Sequence, residues 1–455
     1  MKFLEELAAR RRFGMRPGLE TIRALCAALG DPQRKFKAIH VAGTNGKGAV
    51  CAILDAVLGN RRIVGSSDRW MRIGRYTSPH LVKINERFFL EGSPVDDQTL
   101  ERISSLVNST IRRFDDSTIL QLTFFEALTA VAFVLYAEAK VDYAILECGL
   151  GGRLDATNVC EPVVSVITKI GLDHCDWLGD TVEKIAAEKA GIVKPGVPVV
   201  LGRNEPSVVE VVRHRAQEVD APFHYAPDLA DESEIPADFS LSGAFNRENA
   251  VTALATLRVL GHSDFRTIEH FPAVVWPGRF QRVGDFIVDG AHNPPAARAL
   301  VSALASTFRP FSLSTFRPFS LICGFCGDKD VDEVLSILSP LVRKGYAVKT
   351  NNPRSLSAEE TAVKMRVAGI DAVACDSLRA AIERHLGDIA PQGDIRSADV
   401  SGRSNARAVI CGSLFLAGEA LVELGAYPWG TSRFDPAELL TRRPAQSQSR
   451  GRERI

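Results

Sequence analysis

The sequence predicts an α/β protein of two domains, each built on a parallel sheet with helices packed against it. Three observations carry that expectation. Residues 36–58 (FKAIHVAGTNGKGAVCAILDAVL) read as a short apolar strand, a glycine-rich turn and a helix with one apolar face. Apolar strands at 141–146, 163–168 and 197–201 then alternate with helical stretches. Past residues 276–281 (WPGRFQ) a second set of strands begins, at 286–288, 319–323, 346–350, 371–374 and 408–411, with helical patterns between them. Strands separated by helices argue for a second, Rossmann-like parallel sheet. The expected domains are 1–280 and 281–440, followed by a polar, flexible tail at 441–455.

Composition narrows the class. A chain of 455 residues has room for two full cores. Its 55 basic and 55 acidic residues cancel, which argues against a nucleic-acid binder or a polybasic membrane protein. No apolar run reaches the ~20 residues that span a bilayer. The first residues, MKFLEELAARRRFG, lack the apolar core of a signal peptide. Nine scattered cysteines, an odd number, suggest reduced thiols in the cytoplasm.

Taken in order, residues 1–30 read as helical, broken at 16–18 and stopped by Gly30 and Pro32. The glycine-rich turn is Gly43, Thr44, Asn45, Gly46, Lys47 and Gly48. Small residues there let backbone N–H groups close around phosphate oxygens, and the helix N-terminus adds its positive end. Lys47 would reach the terminal phosphates as a point charge. The turn departs from G-x-x-x-x-G-K-[ST]: Val41 stands at the first glycine, and Gly48 and Ala49 follow the lysine with no hydroxyl for a metal. An ordinary glycine-rich strand-to-helix turn is the competing reading.

Residues 60–75 carry five arginines and read as a solvated basic loop. In the following YTSPHL, Pro79 biases Ser78 away from helix, so a turn would present its hydroxyl. Residues 97–115 and 123–140 read as helices. The strand at 141–146 ends in Glu147 and a glycine-rich loop, 149–158. The next strand leads to GLDH and His174. Each alone suits a solvated carboxylate or a surface histidine. Two successive strands ending in such residues suit a shared site, because open parallel sheets bind ligands at strand C-termini. Lys189 lies among small residues in a helix at 181–192, where most lysines only snorkel. Residues 203–240 fit no clear element, and 243–250 lead an amphipathic helix.

Three features stand apart. Cys323-Gly324-Phe325-Cys326 has redox spacing but no second cysteine pair to support a metal site. STFRPFSL occurs twice, at 306–313 and 314–321, too briefly for a solenoid. Residues 391–407 are polar, as a flexible loop would be.

Read together, HVAGTNGKG, YTSPHL, LECGLGGRLDATN, GLDH, EKAGIVK, WPGRFQ and DGAHNP resemble the folylpolyglutamate synthase and dihydrofolate synthase family, within the Mur-type amide ligases. The resemblance runs from about residue 18 to about residue 425. It implies a P-loop N-terminal domain like the central domain of Mur ligases, and a Rossmann-like C-terminal domain. It implies a cytoplasmic, monomeric ligase that joins L-glutamate to a folate or dihydropteroate carboxylate with ATP, through an acyl phosphate. It places the ATP contacts at residues 43–49, Asn249, Arg279 and Asp289, and magnesium, in two sites, on Ser78, Glu147, His174 and Lys189. Lys189 would act as a carbamate, and Lys47, His174 and Lys189 would be the catalytic set. It puts the pterin near Thr123, Phe124, Phe125, Leu154, Asp155 and Ala156, and glutamate near His292 and Ser413. Residues 63–72 look inserted relative to the family. The alternatives are a Mur-like amide ligase or P-loop ATPase of other specificity, and a non-enzymatic nucleotide-binding or redox protein. The order of the motifs favours the first reading, and LTFFE at 122–126 leans towards a bifunctional bacterial type. Whether dihydropteroate, tetrahydrofolate or both are substrates stays open.

Overall fold

The computed structural model describes residues 18–60, 70–115, 122–262, 265–307, 319–389 and 408–429. Residues 1–17, most of the 60–75 segment, most of the STFRPFSL tandem, residues 391–407 and the tail at 441–455 lie outside them.

Eight strands make the first sheet: β1 (Lys37–Ala42), β2 (Ile73–Tyr76), β3 (Phe88–Leu90), β4 (Ser93–Pro94), β5 (Tyr143–Glu147), β6 (Pro162–Ile167), β7 (Val199–Leu201) and β8 (Phe223–Tyr225). Their order is β4-β3-β2-β5-β1-β6-β7-β8. Pairing is parallel from β2 to β8, but β3 and β4 add an antiparallel edge, so the sheet is mixed rather than wholly parallel. Central β1 is buried from Ala38 to Ala42, as a strand covered on both faces must be. Its alternation sorts Ile39 and Val41 to one face and Ala38 to the other.

On the first of those faces lie α2 (Lys47–Gly59) and α9 (Ala244–Val259), packing Ile53, Leu54 and Leu257 over Val41 and Val200. On the other lie α1 (Glu20–Ala28), α3 (Asp97–Asp115) and α4 (Phe124–Ala139). Helix α4 is buried from Glu126 to Tyr136 and starts with a capping box, Thr123 to Glu126. Short α5 (Cys175–Leu178), then α6 (Val182–Ala190), α7 (Pro206–Glu218) and α8 (Ala226–Leu229) complete this half. Residues 203–240, unassigned from sequence, thus supply α7, the edge strand β8 and α8.

One sequence expectation fails here. Arg75 does not belong to a solvated loop. It lies in β2, 3% exposed, with Nη1 3.3 Å from Asp55 on α2 and its guanidinium 3.8 Å from the centre of the Phe89 ring. A buried charge is tolerated because a partner and an aromatic face replace water.

The second sheet contains β9 (Gln281–Val283), β10 (Phe286–Val288), β11 (Phe319–Cys323), β12 (Val342–Ala347), β13 (Asp371–Ala374) and β14 (Ala408–Cys411), ordered β13-β12-β11-β14-β10-β9. All pairs are parallel except β9 with β10. Strand β12 starts and ends earlier than the expected 346–350, because its first half is basic and partly exposed while its backbone still pairs with β11. Helices α10 (Pro294–Thr307), α11 (Val331–Leu338), α12 (Ala358–Val367), α13 (Leu378–Ile389) and α14 (Leu414–Glu423) cover the two faces.

The C-x-x-C spacing does not make a redox pair. Cys323 is buried with its thiol 3.5 Å from the Met365 sulfur, while Cys326 lies beyond the strand. Burial raises both thiol pKa values, which keeps them protonated and unreactive. All nine cysteines are free.

Candidate active site between two sheets

The strands of the first sheet end level with one another: Val41 pairs with Glu147, and Ala42 with Ile167. Ligands of open parallel sheets bind at this edge. The edge faces the C-terminal ends of β10, β11 and β14, and a cleft of about 590 Å³ lies between. It is lined from the first half by Thr44 to Ala49, Ser78, Glu147, His174 and Asn249, from the junction by Arg279, and from the second half by Asp289, His292 and Ser413.

The turn after β1 is held open by contacts from far along the chain. Gly46, at φ +90°, has no room for a Cβ, which would sit 2.1 Å from Asn249 Oδ1. The N–H groups of Thr44 and Asn45 donate to the Lys169 carbonyl. Those two amides are therefore spent within the protein. The first intrahelical bond of α2 runs from Val50 N–H to Gly46 O, so the amides of Lys47, Gly48 and Ala49 precede it and point out of the helix end. The Lys47 ammonium folds back onto the carbonyls of Gly43 and Thr44, at 3.0 and 3.1 Å.

Ser78 and Glu147 are joined directly: the Ser78 N–H donates to Glu147 Oε2 at 2.9 Å. Glu147 is buried, and burial raises its pKa against the opposing pull of Lys47, that N–H and Arg279. His174 sits in a left-handed turn, and burial lowers its pKa, so its lone pair is available at neutral pH. A hydroxyl, a carboxylate and a neutral imidazole fit a small hard cation such as Mg²⁺ or Mn²⁺.

Lys189 is 4% exposed and lies behind the turn, its amine 2.8 Å from the Gly43 carbonyl. Burial, helped by Lys47, pulls its pKa down to about 7. Neither Gly43 nor Lys189 lines the cleft itself.

Arg279, two residues before β9, is half-buried and feels the charges of Asp289 and Glu147. Both Asp289 oxygens already accept backbone N–H groups, from Phe280 and Ala291 at 2.7 Å each. Asp289 thus shapes its own loop as well as facing the cleft. His292 Nδ1 lies 2.8 Å from the Gly290 carbonyl, and burial holds its pKa down at about 4. Ser413 caps α14 through a bond from the Phe415 N–H.

The residues expected around the pterin form a separate cluster beside Glu147, outside the cleft lining. The Phe125 ring lies against Gly149, where a Cβ would be 2.5 Å from it, and 6.0 Å from the Tyr76 ring. Phe124 is half-buried, with the Arg87 guanidinium 6.0 Å from its ring. Thr123 spends its hydroxyl on Glu126, at 2.7 Å. Asp155 accepts from the Gly149, Leu150 and Thr157 N–H groups and so ties down the glycine loop, with Leu154 and Ala156 flanking it. These contacts make Thr123 and Asp155 structural anchors first.

Two contributors escaped the sequence reading. Asp173 bridges the sheets: the Asn293 amide donates to it at 2.8 Å and the Lys329 ammonium lies 3.4 Å away. Burial would raise its pKa, but Lys329, His174 and His292 hold it below the ordinary carboxylate value. Trp276 covers Gly48, where a Cβ would fall 2.1 Å from the indole. Only the motif GLDH hinted at the first.

Residues 278–396 match the description "Mur ligase, glutamate ligase domain", which fits a second sheet that closes a nucleotide cleft. The chain is 33% identical over 380 residues to the dihydrofolate synthase/folylpolyglutamate synthase of Bacillus subtilis, covering 77% of this chain and 85% of that one. Among solved structures, it is similar to Mycobacterium tuberculosis folylpolyglutamate synthase complexed with ADP and AMPPCP, with a TM-score of 0.79, 32% identity, and coverage of 94% of this chain and 100% of that one. A bifunctional folylpolyglutamate synthase/dihydrofolate synthase from Yersinia pestis, complexed with AMPPNP and Mn ion, matches with a TM-score of 0.73 and 28% identity, covering 93% of this chain and 97% of that one. The chain belongs to the dihydrofolate synthase/folylpolyglutamate synthase family.

Proposed function

We propose that this protein is an ATP-dependent ligase that joins L-glutamate to the carboxylate of a folate or of dihydropteroate. The observation that carries the reading is the cleft, where a helix N-terminus, Lys47 and the Ser78–Glu147 pair face Arg279 and Asp289 across two sheets. A carboxylate is a poor electrophile. Attack of its oxygen on the γ-phosphorus of ATP, with ADP leaving, turns that oxygen into a good leaving group. The glutamate amine then attacks the acyl carbon, phosphate departs, and the amine loses a proton. Phosphoryl transfer needs positioning and charge neutralisation more than covalent help.

On this reading the residues take the following roles. Residues 43–49, with Asn249, Arg279 and Asp289, bind ATP, and Lys47 neutralises its terminal phosphates. Ser78, Glu147 and His174 would hold a divalent cation, which would supply charge neutralisation for the phosphates. Lys189, with a pKa near 7, has a neutral amine available to take up carbon dioxide. The resulting carbamate would give a second cation an anionic ligand, supported by the proximity of the Lys189 amine to the turn. Phe124, Phe125 and the loop at 154–156 receive the pterin, and His292 and Ser413 receive glutamate. One chain supplies every part, so we read the enzyme as a monomer, with the domains divided at 280/281, where the first sheet and α9 are complete and β9 begins. Among the described residues no helix is long and apolar enough to cross a membrane. Nine unpaired thiols support a cytoplasmic setting.

The test is ADP release with dihydropteroate and tetrahydrofolate side by side, with and without L-glutamate. Amide product that requires ATP, a pterin carboxylate and glutamate together is the expected result. ADP release indifferent to all pterins would return the chain to the P-loop ATPases.

A further inference from the structure

The segment carrying Ser78, residues 77–87, belongs to the first domain by sequence and by contacts such as the Asn85 amide on Asp97, yet two of its residues, Leu81 and Glu86, also reach the second. Glu86 lies at its centre, 6% exposed. Its carboxylate accepts the N–H groups of Leu81, Val82 and Lys83 at 2.7, 2.8 and 2.6 Å, which winds the segment around one anion. A fourth donor comes from 341 residues away: the Tyr427 hydroxyl, just past α14, donates to Glu86 Oε1. Leu81 packs into the core of the second domain, and at Gly418 on α14 a Cβ would fall 2.5 Å from the Leu81 carbonyl oxygen. Leu81 and Glu86 thus fasten the segment to the second domain. The near end of the segment holds Ser78, whose N–H fixes Glu147.

We propose that Glu86 and Tyr427 are positioning residues that clasp the Ser78 segment onto the C-terminal domain, so that the divalent cation binds at full strength only while the two domains are docked. The proposal rests on the reading of Ser78 and Glu147 as cation ligands. A buried carboxylate that gathers three backbone donors fixes loop shape by itself. The added Tyr427 bond gives the second domain control over that shape. Because the hydroxyl touches neither nucleotide cradle nor Glu147, its removal acts on the cation through the loop alone.

The experiment uses the full chain and Mn²⁺ as the probe, titrated in the presence of ADP and followed by electron paramagnetic resonance. ADP affinity is measured in parallel in chelator, without metal. Tyr427→Phe is expected to weaken Mn²⁺ about fivefold, the worth of one ordinary hydrogen bond, while metal-free ADP affinity stays unchanged. Glu86→Gln, which keeps one acceptor oxygen, is expected to weaken Mn²⁺ further, again sparing metal-free ADP. Ser78→Ala is measured alongside. If it leaves Mn²⁺ affinity intact, the assignment of Ser78 falls and the proposal with it. If Ser78→Ala weakens Mn²⁺ but Tyr427→Phe does not, the clasp alone is overturned. Combining the two substitutions should cost no more than Ser78→Ala by itself, and fully additive losses would sever the link between them. A lowered melting temperature of Tyr427→Phe with unchanged Mn²⁺ affinity would reduce the contact to packing and overturn the clasp.

Discussion

Two buried side chains with displaced pKa values show how the core and the chemistry share one sheet. Lys189 is held near pH 7 by burial and by Lys47, so its neutral fraction grows as pH rises through that value. Carbon dioxide adds only to the neutral amine. Carbamate at this position, followed by ¹³C-bicarbonate NMR, should therefore increase from pH 6 to pH 8. Lys189→Ala should lose turnover and regain part of it with an added short carboxylate; undiminished activity without rescue would remove Lys189 from the mechanism. His40, on β1, is displaced in the same direction, but with a consequence for stability. Its Nε2 lies 2.8 Å from the Thr157 hydroxyl in a fully buried site, and burial lowers its pKa to about 3. The unfolded chain binds a proton at this residue below its ordinary value of about 6.5, and the folded chain does not. Stability is thus retained above pH 6.5 and falls progressively towards pH 3. In His40→Gln the acid limb of a denaturation series should be flatter than in the wild type.

At the scale of elements, the sequence revealed most where burial is uniform. Strands β1, β5 and β6 are largely apolar runs, and the turn at 43–48, Glu147 and the GLDH segment lie at or just past their ends. Strand β2 was hidden because its centre is Arg75, whose burial depends on Asp55, 20 positions away on a helix that reads as simply apolar. Helix α4 was plain from its pattern, but the use of its first residues was not. Thr123 reads as a substrate contact by resemblance, whereas its hydroxyl is committed to the cap. Thr123→Ala should accordingly cost about 1 kcal/mol in chemical denaturation, with the pterin KM changed less than about twofold. A large KM effect at unchanged stability would return Thr123 to the binding site.

Across the whole molecule, the pairs that join the domains had no local signature. Asp173 and Lys329 are 156 residues apart, and Glu86 and Tyr427 still further. Charge cancellation between residues so distant leaves no periodicity to read. The Asp173 bridge has a measurable sign. Lys329 helps hold the Asp173 carboxyl low, so Lys329→Met should raise its pKa and move the acid limb of the pH–rate profile to higher pH. An acid limb that stays in place would show that Asp173 ionisation does not govern turnover.

The turn at 43–48 touches three distant partners: Gly43 abuts Thr168, Gly46 abuts Asn249, and Gly48 abuts Trp276. Each glycine is shaped by a segment that arrives later along the chain, the last more than 220 positions on. Closing such long loops is slow compared with forming the local strand–helix unit. During refolding from denaturant, helical circular dichroism should therefore recover before the capacity to bind ADP, and the lag should shorten when refolding starts with the nucleotide present. The turn that looks most local in the sequence would be among the last parts of the molecule to become itself.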